Sequence, residues 1–263
     1  MKIKVLMENT TDIDGMLNEH GLSLYIEMDK HKILFDTGQT DGFAVNAEKM
    51  GVDLSEIDFA VISHGHYDHS GGLQKFLKVN KKAPVYMSRY AFEPHYNAND
   101  KYIGVDKNLE GSDRLILTDD FLEIDKGLEL ISSKSCNSFY DTECFGLKVL
   151  ENGELVPDDF RHEQYLMIQE NGRNILFSGC SHKGILNIMT CFKPDILVGG
   201  FHFMKIETEG EGRKKLERAA DILKGFDTDY YTCHCTGTGQ YEILKDIMGD
   251  RLNYISAGQE INL

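Results

Sequence analysis

The segment Ser63-His64-Gly65-His66-Tyr67-Asp68-His69-Ser70-Gly71-Gly72 constrains this chain more than any other stretch. It follows the apolar run 59–62 and precedes Leu73, Phe76 and Leu77 on one helical face, so it reads as a strand-to-helix turn. Three imidazoles and a carboxylate so close together are costly to bury without partners. A divalent metal satisfies all four, because neutral imidazole and carboxylate suit Zn²⁺, Mn²⁺ or Fe²⁺. Gly65 is expected to let the backbone fold tightly enough for His64 and His66 to converge. The bland alternative is a polar surface loop that happens to be rich in histidine.

Around this turn the chain alternates short apolar runs with turn residues. Strands are expected at 2–7, 22–27, 32–35, 59–63, 128–131, 165–169, 174–177, 196–198 and 230–233. Asp29-Lys30 and Asn171-Gly172 read as hairpin turns, Asn-Gly tolerating positive φ at both positions. Helices are expected near 43–50 and 71–79. Two more are marked by Ile185, Ile188, Met189 and Phe192 and by Leu216, Ala219, Ala220 and Leu223. Arg213, Lys214, Lys215, Glu217 and Arg218 fall mainly opposite the second of these stripes and read as a solvated helix surface. Residues 93–114 are polar and aperiodic, the pattern of a long functional or mobile loop. No repeat or linker divides the chain, so 1–263 reads as one domain with halves at about 1–155 and 156–263, each β-rich with helices outside.

Composition excludes several classes of protein. The 28 Lys+Arg against 43 Asp+Glu leave a formal net charge of −15, which argues against a nucleic-acid partner. At 41% hydrophobic the chain buries a core, and no run reaches the ~18 apolar residues of a membrane span. The first residues turn polar too soon for an export signal. The six cysteines, at 136, 144, 180, 191, 233 and 235, lack a dense disulfide spacing and read as reduced thiols of a cytoplasmic protein.

The sequence His64-x-His66-x-Asp68-His69 resembles the signature of the metallo-β-lactamase superfamily. Leu34-Phe35-Asp36-Thr37-Gly38 and Leu176-Phe177-Ser178-Gly179-Cys180 resemble two further segments of it. His20-Gly21-Leu22-Ser23, Gly179-Cys180-Ser181-His182 and Cys233-His234-Cys235-Thr236-Gly237 are similar to a subgroup. That subgroup contains the archaeal dihydropterin–ribofuranosylaminobenzene phosphate synthases and many metal-dependent hydrolases. The resemblance implies a mixed α/β fold, the four-layered αββα sandwich. It also implies one or two divalent metals, zinc foremost, with manganese, iron or magnesium as alternatives.

Carried over by position, His64 and His66 bind the first metal, and Asp68 and His69 the second. Cys180 stands where the superfamily places a bridging Asp, and either ligates or packs. Two histidines compete for the third position: His162 fits the general pattern and His182 the subgroup, which is favoured. His162 then reads as a strand-edge histidine that is either at the surface or braces a ligand from behind. His234, ending a late strand, fits the last ligand. In a strand its ring points away from Cys233 and Cys235, which then read as packing thiols. Asp68 also orients the metal-bound water. His202 is either an acid or substrate contact in the cleft or a satisfied core histidine, and His20 is a weaker candidate for the same cleft. Asp36 reads as a brace accepting from a ligand histidine. Lys183 and the backbone at Thr236 and Gly237 offer a phosphate contact at a helix start; an ordinary helix entry is the competing reading. His31 and His95 are expected to be exposed.

The expected activity is metal-dependent hydrolysis of a small, anionic ester, phosphoester or lactone. The alternatives are a bond-forming synthase acting on a pterin or aminobenzene ribose phosphate, and a non-catalytic metal sensor. The expected partner is a small molecule that is phosphorylated in one version, with neither nucleic acid nor membrane. An oxygen-reducing diiron protein has Glu where His66 stands, a tRNA-maturing nuclease needs a basic arm, and a secreted lactamase needs an export signal.

Overall fold

Runs of branched and aromatic residues form strands because their side chains pack well on a pleated, half-buried surface. In the computed structural model, which describes all 263 residues, these strands build two compact units. One comprises Met1–Asp119, Gly146–Gln164 and Ser256–Leu263; the other comprises Asp120–Phe145 and Tyr165–Ile255. The halves drawn at 155 and 156 are not these units, because each unit gathers segments remote in sequence.

The first unit carries a seven-stranded mixed sheet. Its order is Glu260–Asn262, Lys2–Met7, Ser23–Glu27, Lys32–Phe35, Phe59–Val61, Val85–Ser88 and Leu115–Thr118. The pairings are antiparallel as far as Lys32–Phe35 and parallel beyond it. Asp29 and Lys30 close the Ser23–Glu27/Lys32–Phe35 hairpin, with Met28 N–H donating to His31 O at 2.9 Å. The helices Gly42–Lys49 and Leu73–Val79 bury Phe43, Ala47, Leu73 and Phe76 in one cluster with Leu34, Ala60, Ile62 and Val85.

Residues 93–114 are not a structureless excursion. His95–Tyr96 pairs with Lys148–Glu151, which in turn pairs with Glu154–Pro157. Gly104 bridges to His66, Tyr67 N–H donates to Ile103 O at 2.8 Å, and Ile103, Val105 and Leu109 are buried. These three apolar residues are too widely spaced to show a period, yet they anchor the segment on the histidine-rich turn.

The second seven-stranded sheet, which apart from Gln164 belongs to the second unit, has the order Leu252–Tyr254, Asp229–Thr232, Ile196–Gly199, Arg173–Ser178, Gln164–Glu170, Leu128–Ser132 and Phe121–Asp125. The first three pairings are parallel. Ile196–Gly199 is buried at every position, as a central parallel strand requires. Asn171 (φ 53) and Gly172 (φ 77) turn the antiparallel hairpin that precedes it. The helices Ile185–Phe192, Gly210–Lys224 and Thr238–Met248 pack Ile188, Leu223 and Leu244 onto Leu176, Leu197 and Tyr230.

Two of the six cysteines depart from the expectation of reduced thiols: Cys136 and Cys191 form a disulfide. A separation of 55 residues hides such a pairing from sequence spacing. No helix is long and apolar enough to cross a membrane.

Candidate metal centre

In both units the chemistry-bearing residues follow the carboxyl ends of parallel strands, where α/β sheets place their ligands. Asp36 follows Lys32–Phe35, and the 63–69 turn follows Phe59–Val61. In the second unit Cys180 and His182 follow Arg173–Ser178, His202 follows Ile196–Gly199, and His234 follows Asp229–Thr232.

A single carboxylate organises the first set. Asp36 is fully buried in the left-handed conformation (φ 60), and it accepts from Ser63 N–H and Ser63 Oγ–H, each at 2.7 Å. The same carboxylate stands 2.7 Å from His69 Nδ1. An ionised Asp36 accepts the Nδ1–H of His69, which leaves the His69 Nε2 lone pair outward. Because Ser63 Oγ spends its hydrogen on Asp36, it accepts from His64 Nδ1 at 2.9 Å, and His64 likewise presents Nε2. His64, His66, Asp68 and His69 are all buried, with the His64 ring centroid 4.7 Å from that of His66 and 4.1 Å from that of His69. Burial, followed by the His162 and His95 rings, pushes His66 well below the usual histidine pKa, so it too is a neutral donor. His64 and His69 thus have tautomers fixed from behind, the arrangement of imidazoles that hold a divalent cation. His20 is exposed and lies 3.3 Å through Nε2 from Asp68 Oδ2.

Gly65 serves a different purpose from the one expected. Its φ is not positive; a Cβ there would lie 2.4 Å from Ala91 O, so the glycine is required by close backbone approach.

Two expectations about outlying histidines fail. His95 is fully buried, because its short strand turns the ring inward, and Nδ1 lies 2.9 Å from Asp158 Oδ2. His31 is half-buried edge-on against Phe59. His162 is not at the surface either: its Nδ1 accepts from Gly65 N–H at 2.9 Å, and its Nε2 lies 3.3 Å from Asp158 Oδ2. The Nε2 atoms of His95 and His162 make no hydrogen bond, and ligand atoms of His66, His95, Asp158 and His162 lie within 4.8 Å of one another, so this group too could hold a metal ion. Through its bond to Gly65, His162 also braces the loop between His64 and His66. Asp158, which sequence reasoning missed, is held well below the carboxylate range: burial opposes ionisation, but hydrogen bonds and charges from His162 and His95 outweigh it. The four-residue step from Asp158 to His162 was the only signal for it.

The second unit gathers another set. Donor atoms of Cys180, His182 and His202 lie within 4.8 Å of one another, as do those of Cys180, His234 and Cys235. That overturns the placement of Cys235 opposite His234. The strand ends at Thr232, and His234–Thr236 form a 3₁₀ turn in which His234 takes φ 50. Strand alternation stops there, and neighbouring side chains converge. Burial alone would raise the Cys235 thiol, yet Cys180 and the His202 and His234 groups hold it well below its usual pKa.

A cavity of about 540 Å³ opens in this unit. Its lining includes His182, His202, Tyr140, Phe145, Phe203 and Ile206. Lys215 and Arg218 also line it, so part of the helix face read as solvated surface borders the cavity; Lys215 is paired with Glu143 at 2.6 Å. His202 is not a satisfied core histidine, since both of its ring nitrogens are buried without a hydrogen bond. Lys183 does not line the cavity. Thr236 is fully buried, its Oγ1 accepting from Phe201 N–H at 2.8 Å. A Cβ on Gly237 would lie 2.2 Å from Gln240 Oε1, so this helix start is closely packed.

Residues 18–141 match the model of the metallo-β-lactamase superfamily. An uncharacterized protein of Methanocaldococcus jannaschii is 31% identical over 247 residues, spanning 89% of this chain and 90% of its own. The 7,8-dihydropterin-6-methyl-4-(β-D-ribofuranosyl)-aminobenzene-5′-phosphate synthase of the same organism is 27% identical over 288 residues, spanning 99% and 96%. Among solved structures, a metal-dependent hydrolase of the β-lactamase superfamily is 29% identical, with a TM-score of 0.84 over 100% of this chain and 99% of that one. With these matches and the His64-to-His69 donor set, the chain belongs to the metallo-β-lactamase superfamily and has its mixed α/β fold.

Proposed function

We propose that this protein is a metal-dependent hydrolase acting on a small, anionic ester, phosphoester or lactone. The observation that carries the reading is the Asp36–Ser63 network, which fixes the tautomers of His69 and His64 so that each presents Nε2. A divalent metal, zinc foremost, supplies a water acidic enough to ionise near neutral pH and a positive charge for a developing oxyanion. The residues proposed to hold such an ion in the first unit are His64, His66, Asp68 and His69; in the second unit His182, His234 and Cys180 are proposed as metal ligands. Asp68 orients the attacking water through its carboxylate, and His20, 3.3 Å away, limits that carboxylate's freedom. His202, with unsatisfied ring nitrogens beside the cavity, donates to or contacts the leaving group. Arg218 on the cavity lining supports an anionic substrate, and the aromatic lining excludes water from it. Neither nucleic acid nor membrane is proposed as a partner.

The test is metal analysis of the purified protein, coupled to a screen of phosphoesters, lactones and thioesters. Turnover that disappears on metal removal and returns on zinc addition supports the reading; a metal-loaded protein inactive on every class sinks it. A bond-forming synthase is the second reading, favoured by the 27% identity to the aminobenzene-phosphate synthase over nearly the full length of both chains. Strict dependence on a dihydropterin would select it, whereas phosphoester cleavage without a second substrate selects hydrolysis. A non-catalytic sensor would bind metal and turn over nothing.

A further inference from the structure

We propose that Cys235 is a thiolate metal ligand alongside Cys180 and His234, giving the second unit a two-sulfur, one-imidazole donor set that selects zinc over magnesium and manganese. This deepens the hydrolase reading, on which it rests for the presence of a metal.

Three observations converge. First, Cys180, His234 and Cys235 are buried to within 3% of completely, and their donor atoms lie within 4.8 Å of one another. The convergence depends on the 3₁₀ turn at His234–Thr236, without which strand alternation would send Cys235 to the other face.

Second, room for the Cys235 sulfur is provided by Gly200. A Cβ on that residue would lie 2.4 Å from Cys235 Sγ, so the backbone after Ile196–Gly199 is kept bare where the thiol sits.

Third, the loops that bring the donors together are strained. Ser181 (φ 58), His202 (φ 60) and His234 (φ 50) all occupy the left-handed region, one in each of the three loops. Such conformations in non-glycine residues cluster where surrounding structure serves a ligand.

At present the Cys235 thiol donates to Cys180 O at 3.3 Å. Thiol hydrogen bonds are weak, and this one does not require a second sulfur and an imidazole to meet at the same point. On metal binding each thiol releases its proton to solvent and the sulfur becomes a soft anionic donor. Such donors favour zinc, whereas magnesium and manganese prefer oxygen.

X-ray absorption at the zinc edge of the unaltered, zinc-loaded protein provides the test. In protein loaded with one zinc per chain, two sulfurs per zinc are expected; one or none overturns the proposal. Cobalt(II) substitution provides an independent reading through the thiolate-to-cobalt charge-transfer band. Cys235→Ser should lower that band by about half, and Cys144→Ser should leave it unchanged. An unchanged band in Cys235→Ser overturns the proposal, and if that variant does not fold, the absorption measurement on the unaltered protein decides. Two sulfurs without hydrolysis would refute the hydrolase reading and keep the ligand. Hydrolysis with a single sulfur would do the reverse.

Discussion

Asp36 Oδ2 lies 2.7 Å from His69 Nδ1, and neither side chain has any solvent exposure. A buried carboxylate that also takes two hydrogen bonds from Ser63 has no freedom to move, so it sets the direction of the His69 ring. Asp36→Asn keeps the volume but removes the charge and puts an amide donor against groups that already donate. Metal affinity is expected to fall about 10- to 100-fold, as read by competition with a chelator. Wild-type affinity in that variant would refute the bracing role.

Gly65→Ala tests close packing behind the ligand loop. The new methyl would meet Ala91 O at 2.4 Å and Ala91 Cα at 2.9 Å, both rigid backbone atoms. Overpacking of this kind costs roughly 1–3 kcal/mol, and here the backbone that must yield joins His64 to His66. A lower melting temperature of the metal-free protein and weaker zinc uptake should appear together. A normal melting temperature would mean that the turn accommodates the methyl freely.

The buried His95–Asp158–His162 group predicts a pH dependence. Burial, then the neighbouring His95 ring, pushes His162 down to about 4 against the pull of Asp158. In the unfolded chain a histidine titrates near ~6.5, so between there and 4 the unfolded state holds a proton that the folded state refuses. Stability of the metal-free protein must therefore fall as pH drops through that window, by up to roughly 3 kcal/mol. Asp158, shifted downward, adds stability that is present above the unfolded carboxylate value and lost only below it. Urea midpoints measured from pH 7 to pH 5 should decline in the wild type and decline less in His162→Gln. Equal slopes would rule out His162 as the source.

The disulfide between Cys136 and Cys191 joins two residues of the second unit that are 55 positions apart in sequence. Removing such a link costs a domain about 2–4 kcal/mol, mainly by freeing the unfolded chain. Cys136→Ser, or reduction of the wild type, should lower the melting temperature, and reduction of the Cys136→Ser variant should add nothing further. A reductant effect that persists in the variant would place the redox-sensitive bond elsewhere.

The ligand turn was legible in the sequence because its information is local. His64, His66, Asp68 and His69 sit within one strand-to-helix turn, so spacing alone brings them together once the flanking periods are read. The Asn171-Gly172 hairpin was legible for the same reason. His95 was not: it lies in a polar segment, and its burial depends on pairing with residue 149, far along the chain. Lys215 and Arg218 are exposed, as a solvated helix face implies, but the cavity they border was not legible, because an amphipathic stripe identifies the buried face of a helix and not what borders the other.

By itself the sequence determined the strand and helix segments of a mixed α/β chain, the clustering of His64, His66, Asp68 and His69 in one turn and the brace at Asp36, because each follows from short-range periodicity or a motif of fixed chemistry. Only the tertiary structure decided that His162 spends its Nδ1 on Gly65, that Asp158 holds His95, and that Cys235 turns toward His234 and Cys180. Those relationships depend on where remote strands end and on one left-handed residue, His234, which reverses the alternation a strand would have imposed.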